Sequence, residues 1–174
     1  NMNSAHMRKT DIADQVHAAL RASELSATML QIEITETGMM DFSGPALQGL
    51  HALRESGVRV AIDDFGTGYS SLAYLKKLPV TTLKIDRSFV ADLGVDKDDE
   101  AIVAAIGGLA SALSLDVVAE GVETITQRQW LEDHGVRAMQ GYLFGRPMPA
   151  EEFELLLRGQ VSPIAGAARR VKAA

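Results

Sequence analysis

The sequence predicts an α/β fold, a (β/α)8 or TIM barrel that is incomplete at its N-terminal side. Short segments of strand character alternate with helices of about 8 to 15 residues, a pattern typical of βα units and a parallel sheet. Polar residues recur at the C-terminal ends of successive strands, where such a barrel builds its site. Five clear strands are recognisable in 174 residues, whereas a whole barrel needs about 250 residues.

Alternation of apolar and polar residues predicts the strands. In the first, Leu30, Ile32 and Ile34 share one face, and the polar residues between them share the other. The predicted strands cover residues 30–35, 58–63, 82–86, 116–120 and 136–140. The expected fold therefore has each strand followed by a helix.

Apolar residues spaced three or four apart, with capping residues at the ends, predict the helices. Pro45 suits a helix start and Gly57 the position just past a helix end, and Thr126 with Gln129 has the spacing of a capping box. The predicted helices run from Thr10 or Asp11 to Ser23, from Pro45 to Gly57, over 72–77, from Asp99 or Glu100 through Leu113, from Thr126 to Gly135 and over 151–158.

The composition is that of a globular domain with 47% hydrophobic and 23% charged residues. The absence of cysteine excludes disulfides, thiolate zinc sites and a cysteine nucleophile and favours a cytoplasmic location. No apolar run approaches the roughly 20 residues of a membrane span, so we expect no membrane contact from this segment, although the parent protein could be anchored at the inner face of the cell membrane. The net charge of −6 argues against DNA binding.

Two adjacent carboxylates, Asp63 and Asp64, precede a glycine-bearing loop. In a strand they would point to opposite faces, so both reach one site only if the strand ends there and the chain turns. Gly66 and Gly68 can supply the turn, because glycine adopts positive φ without a steric clash. We therefore expect the strand to end at Asp63 and the loop to present both carboxylates.

The polar residues at the strand ends form a candidate metal site. They are Glu33, Asp63, Lys84, Glu120 and Gln140. Asn1, Glu33, Asp63 and Asp64 offer hard oxygen ligands that suit Mg²⁺ or Mn²⁺ rather than zinc, and two ions could share the Asp pair. A single acidic residue is more often a helix cap or solvent-exposed, but a set that recurs at the same end of successive strands indicates a site.

The other polar residues leave alternatives open. Three roles are open for Lys84: a structural ion-pair partner, a cation beside an attacking water or phosphate oxygen, or a Schiff-base lysine. Neighbouring carboxylates keep the pKa of Lys84 high and disfavour the Schiff-base role. Either Glu120 or Glu123 is the natural general base, and the other has a supporting or structural role. Gln140 is neutral and positions other groups, and Glu36 either braces the glycine-bearing loop or is exposed.

Five segments together resemble the EAL-domain family of cyclic di-GMP phosphodiesterases. They are Glu33-Ile34-Thr35-Glu36, Asp63-Asp64-Phe65-Gly66-Thr67-Gly68-Tyr69-Ser70-Ser71, Leu83-Lys84-Ile85-Asp86, Ala119-Glu120-Gly121-Val122-Glu123 and Gln140-Gly141-Tyr142-Leu143-Phe144. The resemblance extends from Asn1 to about Leu157. It implies a modified TIM barrel and a hydrolase of bacterial second-messenger signalling that converts cyclic di-GMP to linear pGpG.

The resemblance also implies roles for individual residues. They are Asn1, Glu33 and Asp63 as metal ligands, Asp64 serving a second ion, Lys84 beside the nucleophilic water, Glu120 as general base, Glu123 as a further acidic site residue, Gln140 as a positioning residue and Glu36 as the residue that steadies the loop. Two Mg²⁺ or Mn²⁺ ions are expected, with Ca²⁺ inhibitory. A homodimer and an upstream sensor or diguanylate cyclase-like (GGDEF) domain in the parent protein are further expectations.

The Glu-Ala-Leu signature of the family is absent from this chain. With it are absent a further metal-ligating glutamate and an arginine that holds substrate phosphate. We therefore expect residues 1–159 to form an EAL-type domain that lacks its first strands, residues 160–174 to form a flexible tail, and the chain alone to be inactive. The alternative is a catalytically inactive EAL domain that acts as a cyclic di-GMP receptor or a protein-interaction module.

Overall fold

A computed structural model describes residues 1–2, 12–68 and 72–159. Its centre is a five-stranded parallel sheet whose strands follow one another in sequence order. The strands are β1 (Gln31–Thr35), β2 (Arg59–Phe65), β3 (Thr82–Ile85), β4 (Asp116–Ala119) and β5 (Ala138–Met139). Because all are parallel, their C-terminal ends lie at one edge of the sheet.

Helices connect the strands, as the sequence predicts. They are α1 (Ile12–Ala22), α2 (Gly44–Glu55), α3 (Leu72–Leu75), α4 (Arg87–Ala91), α5 (Lys97–Ala112), α6 (Ile125–Asp133) and α7 (Ala150–Leu157), with 3₁₀ turns at Ala27–Met29 and Thr37–Asp41. None of the helices in the described part of the chain is both long and apolar enough to cross a membrane.

The hydrophobic core lies between the sheet and the helices. Val60, Ile62, Leu83 and Ile85 of the central strands are fully buried, and helices α2 and α5 direct their apolar stripes toward them, with Leu50 of α2 at 0% exposure. Central strands that are buried on both faces have nearly continuous apolar sequences. This packing fixes the sheet whose strand ends carry the candidate site residues.

Sequential order and parallel pairing make the sheet an incomplete (β/α) barrel, which confirms the predicted fold class. The backbone N–H of Met2 donates to Glu33 O over 2.8 Å, so Met2 lies beside the edge of β1 that faces away from β2. At the other end of the sheet, α7 buries none of its residues.

The expected end of β2 at Asp63 is wrong. The strand continues to Phe65, and its register with β3 shifts between Ile62 and Phe65. Asp64 has a φ of 55°, in the left-handed region that non-glycine residues rarely adopt. The backbone thus turns within the strand at Asp64, before the glycines, and this local irregularity changes the direction of the second carboxylate.

Several helix boundaries differ from their predictions. Helix α3 ends at Leu75 rather than at residue 77, and α5 starts at Lys97 because the side chain of Asp96 accepts from Asp98 N–H and caps it. The capping box of α6 uses Thr124 and Gln127, two residues before the predicted pair. The sequence reading missed α4 entirely.

Some sequence predictions fall outside the described residues. They concern the start of the first predicted helix at Thr10 or Asp11 and the tail over 160–174.

Candidate functional site

Lys84 lies at the centre of an acidic cluster formed by three strand ends. Its Nζ is 2.7 Å from Asp63 Oδ1, 2.7 Å from Glu120 Oε1 and 3.0 Å from Glu33 Oε2. These partners come from β2, the residue after β4, and β1, respectively. The Lys84 side chain is only 7% exposed, so one buried ammonium compensates charge from three neighbouring strand ends.

These ion pairs keep Lys84 protonated. Burial by itself lowers the pKa of an ammonium, but hydrogen bonds to Asp63, Glu120 and Glu33 outweigh it and raise the pKa of Lys84 above its ordinary value of 10.5. A protonated amine is not a nucleophile. The structure therefore disfavours the Schiff-base interpretation and supports an electrostatic role for Lys84.

The side-chain amide of Asn1 completes the cluster on the side of β1. With its nitrogen turned toward the carboxylates, Asn1 donates to Glu33 Oε2 over 2.9 Å and to Asp63 Oδ2 over 3.3 Å. With its oxygen turned toward them, the amide and two carboxylates present three oxygens to the same point. Oxygens that converge in this way are the donor set of Mg²⁺, Mn²⁺ or Ca²⁺.

Asp63, Asp64 and Glu120 form a second convergence of oxygens. One carboxylate oxygen of each lies within 4.8 Å of the others, a geometry that could hold a metal ion. Burial raises the pKa of Asp64, and the nearby charges of Asp63 and Asp86 raise it further. Burial also raises the pKa of Glu120 despite the opposing effect of Lys84. A divalent cation between these groups would stabilise their ionised forms and so lower both pKa values.

Glu36 supports the loop that carries Asp64. It is 3% exposed, and its Oε2 accepts hydrogen bonds from Gly66 N–H over 2.8 Å and from Gly68 N–H over 3.0 Å. A Cβ on Gly68 would stand 3.1 Å from Glu36 Oε1. Of the two interpretations of Glu36, the structure therefore favours the loop brace over an exposed residue.

Gln140 contacts Glu120 from the end of β5, with its Nε2 donating to Glu120 Oε1 over 2.6 Å. The next residue, Gly141, packs so closely that a Cβ there would lie 2.2 Å from Val122 O. Val122 N–H in turn donates to Gln140 O. The backbones after β4 and β5 therefore hold Gln140 against Glu120.

A cleft of about 830 Å³ opens beside the acidic cluster. Acidic, aromatic and basic residues line it, among them Asp64, Asp86, Glu120, Glu123, Gln140, Tyr142, Phe144 and Arg146. The guanidinium of Arg146 lies 4.3 Å from the centre of the Tyr142 ring. The cleft thus places a cation and aromatic faces next to the carboxylates.

The structure brings together seven of the nine residues singled out from the sequence. They are Asn1, Glu33, Asp63, Asp64, Lys84, Glu120 and Gln140. Glu123 lines the cleft, and Glu36 contacts the loop behind the cluster. Sequence reasoning left out Asp86, which lines the cleft beside Asp64 and follows β3 as Glu120 follows β4. The same strand-end argument could have found it.

The fold and the donor set define a class: an α/β barrel whose strand ends carry an oxygen-rich site suited to divalent metal ions. The sequence profile of the EAL domain matches residues 1–147. The chain therefore belongs to the EAL-domain family of phosphodiesterases.

Two relatives from Pseudomonas aeruginosa show the kind of protein in which such a domain occurs. The chain is 46% identical over 152 residues to MucR, a bifunctional diguanylate cyclase/cyclic di-GMP phosphodiesterase, and 44% identical over 158 residues to the cyclic di-GMP phosphodiesterase NbdA. These matches cover 87% and 91% of this chain but only 22% and 20% of the relatives. The chain thus spans about a fifth of their length.

Solved structures agree with the fold. The MucR phosphodiesterase in complex with cyclic di-GMP matches with a TM-score of 0.82 at 46% identity, over 88% of this chain and 62% of that one. BlrP1 of Klebsiella pneumoniae, in a complex with manganese and cyclic di-GMP, matches with a TM-score of 0.73 at 38% identity, over 79% of this chain and 35% of that one. Both matches place the five strands within a known family of barrels.

Proposed function

We propose that this domain, within the protein that carries it, hydrolyses one phosphodiester bond of cyclic di-GMP to give linear pGpG. The observation that carries the proposal is the convergence of Glu33, Asp63 and Glu120 on Lys84, with Asp64 alongside, at the mouth of a cleft. The solved structures of MucR and BlrP1 are named as complexes with cyclic di-GMP, which supports the choice of substrate.

The residues present fit two divalent ions. Asn1, Glu33 and Asp63 would hold the first, and Asp64 with Asp63 the second, since their oxygens converge at two neighbouring points. When bound, Mg²⁺ or Mn²⁺ would polarise the phosphate and lower the pKa of a water molecule. Ca²⁺ is larger and accepts looser geometry, so we expect it to bind and to support little turnover.

Glu120 is the general base in this proposal. Its carboxylate borders the cleft and accepts hydrogen bonds from Lys84 and Gln140, which fix its orientation. Burial raises its pKa, so the ionised group is a stronger base than an exposed glutamate. Glu120 takes a proton from the attacking water, the water oxygen bonds to phosphorus, one P–O3′ bond breaks, and the released O3′ takes up a proton from solvent.

The far side of the cleft suits the guanine bases. Tyr142 and Phe144 offer aromatic faces on which a base can stack, and Arg146 can contact a phosphate or a base edge. Glu123 lines the same cleft and adds an acceptor for base amino groups or a second acidic group near the ions.

The test is chromatographic detection of pGpG from cyclic di-GMP, using protein extended upstream of Asn1 and supplied with Mg²⁺ or Mn²⁺. We expect turnover that Ca²⁺ abolishes and that Glu120→Gln lowers by about 10²- to 10⁴-fold, the usual contribution of a general base. The matched control is Glu132→Gln, which removes an exposed carboxylate paired with Arg128 and should leave turnover intact. Binding without turnover in the folded protein would overturn the proposal in favour of a receptor.

The arrangement of the parent protein is also a proposal. MucR is named for two activities, and an Escherichia coli relative 42% identical to this chain is named as the oxygen sensor DosP. We propose that this domain likewise follows a sensor or GGDEF domain in a cytoplasmic homodimer. Light scattering on the extended protein, which should give twice the chain mass, tests the dimer.

A further inference from the structure

Gln127 is a buried polar residue that lies outside the acidic cluster. It occupies the third position of α6, is 6% exposed, and uses its side chain in three hydrogen bonds. Oε1 accepts from Glu123 N–H over 2.8 Å and from Thr124 N–H over 2.9 Å, and Nε2 donates to Ala91 O over 2.9 Å. A capping box needs only the contact with Thr124 N–H, so two of these bonds exceed what starting α6 requires.

The two additional bonds join segments that carry site residues. Glu123 belongs to the loop after β4, which begins with Glu120. Ala91 is the last residue of α4, the helix that Asp86 caps directly after β3. Gln127 thus satisfies a C-terminal carbonyl of α4 and an N–H donor of the next strand-end loop with one amide.

A second contact joins the same two segments. Gly121 has a φ of 70°, and a Cβ there would lie 2.5 Å from Arg87 Cβ, so the loop after β4 lies directly against the start of α4. The loop is therefore held at both ends: Gly121 packs on Arg87, and Glu123 is tied to Ala91 through Gln127. Glu120 directly precedes this segment.

We propose that Gln127 is a positioning residue for the hydrolysis, acting through the loop Glu120–Glu123 and the α4 segment behind it. The inference rests on the proposed function and adds to it a residue that contacts neither metal nor substrate. Its amide fixes the loop relative to β3, and thereby fixes the Glu120 carboxylate relative to Lys84. A misplacement of about 1 Å at a reacting group can cost about 100-fold in rate.

The first test compares Gln127→Met with two controls in the extended protein. Met fills the same space but removes all three side-chain hydrogen bonds, and we expect kcat to fall about 10- to 100-fold with KM nearly unchanged. Gln129→Met is the same substitution at an exposed position of α6. Thr124→Ala removes the other half of the capping box and lowers Tm by about 3 °C. Both controls should keep kcat within about twofold.

Epistasis separates positioning from general destabilisation. If Gln127 acts through Glu120, adding Gln127→Met to Glu120→Gln lowers kcat by no more than about threefold, because the group being positioned is already disabled. A purely structural residue would multiply its loss onto that of Glu120→Gln. Multiplicative losses, or a Gln127→Met enzyme with normal kcat, would refute the proposal.

Amide hydrogen exchange tests the contact without relying on turnover. Exchange at Glu123 N–H and Thr124 N–H should be at least about tenfold faster in Gln127→Met than in Gln129→Met, since their acceptor is lost. Unchanged exchange refutes the contact whatever the kinetics. A wild-type protein with slow exchange and no turnover would instead refute the proposed function and leave the contact standing.

Discussion

Lys84 is the residue that makes the acidic cluster compatible with a folded, metal-free protein. Three carboxylates lie within 3.0 Å of its Nζ, and their side chains are 13% to 23% exposed. Removing one partner from such a set leaves the others partly desolvated and mutually repulsive. A divalent ion would supply the same compensation, so lysine and metal should act on stability in parallel.

We predict that Lys84→Met lowers the free energy of unfolding by about 3 kcal/mol in EDTA and by less in saturating Mg²⁺ or Mn²⁺. The pKa of Lys84 is raised in the folded state, so its stabilising contribution is complete below its ordinary pKa of 10.5 and is lost only as pH rises through the higher folded value. Denaturant unfolding near pH 8, with and without metal, measures the effect.

Lys97→Met is the control for this prediction. Lys97 pairs with Glu100 at the surface, and its side chain is 87% exposed, so its loss should leave the free energy of unfolding nearly unchanged, with or without metal. Equal losses for the two variants in EDTA would show that the cluster is not what Lys84 stabilises.

At the same scale, the sequence predicted most of the cluster because a strand-end position is readable from alternation alone. Asp63, Lys84 and Glu120 each lie at or next to the C-terminal end of a predicted strand. Arg146 and its contact with Tyr142 could not be found in this way, because they lie in a loop without periodicity. Gln127 could not be found either, since a buried glutamine in a helix is identified only by the distant carbonyl that it contacts.

Among the elements, the loop after β2 is supported by the buried side chain of Glu36. Two residues before this loop, within β2, Asp64 has a φ of 55°, a conformation that is retained only when the surroundings hold it. The surroundings here include Glu36, whose Oε2 accepts from two N–H groups of the loop. The direction of the Asp64 carboxylate, and any metal bound there, should therefore depend on Glu36.

We predict that Glu36→Met weakens Mn²⁺ binding about tenfold, as expected when a group that orients a ligand is lost. Calorimetric titration of the metal-free protein with Mn²⁺ measures this without substrate. Glu55→Met, the same change at an exposed position of α2, controls for the loss of negative charge and should leave the affinity unchanged. If both variants bind Mn²⁺ equally, the loop does not need its brace.

Element boundaries were predicted less well than element types, for physical reasons that particular residues show. The prediction ended β2 at Asp63, because backbone strain at Asp64 leaves no mark in the sequence. Helix α4 has five residues, too few for a periodic stripe, and depends on the Asp86 side chain accepting from Ser88 N–H. The start of α6 was misplaced because two overlapping Thr and Gln pairs have capping-box spacing, and only packing selects Thr124 with Gln127.

For the whole molecule, β5 has one strand partner among the described residues, and apolar side chains of α7 are exposed. Phe153, Leu155 and Leu157 are 49%, 41% and 72% exposed, and no residue of α7 is buried. A closed barrel has eight strands and covers each helix against the sheet. Curated relatives are about five times longer than the matched region, which leaves ample chain to supply the remaining strands.

We therefore predict that extending the protein upstream of Asn1 protects α7. Backbone amides of residues 150–157 should exchange at least about tenfold more slowly in the extended protein than in residues 1–174 alone, because apolar packing suppresses local unfolding. Residues 100–112 of α5 are the internal control, since Val103, Ile106 and Ala110 are already buried and should exchange alike in both. Equal exchange in α7 with and without the extension would mean that added chain does not close the barrel against this helix.

We also predict that residues 1–174 alone do not hydrolyse cyclic di-GMP. Turnover by residues 1–174 would mean that the five-stranded sheet already holds a complete site.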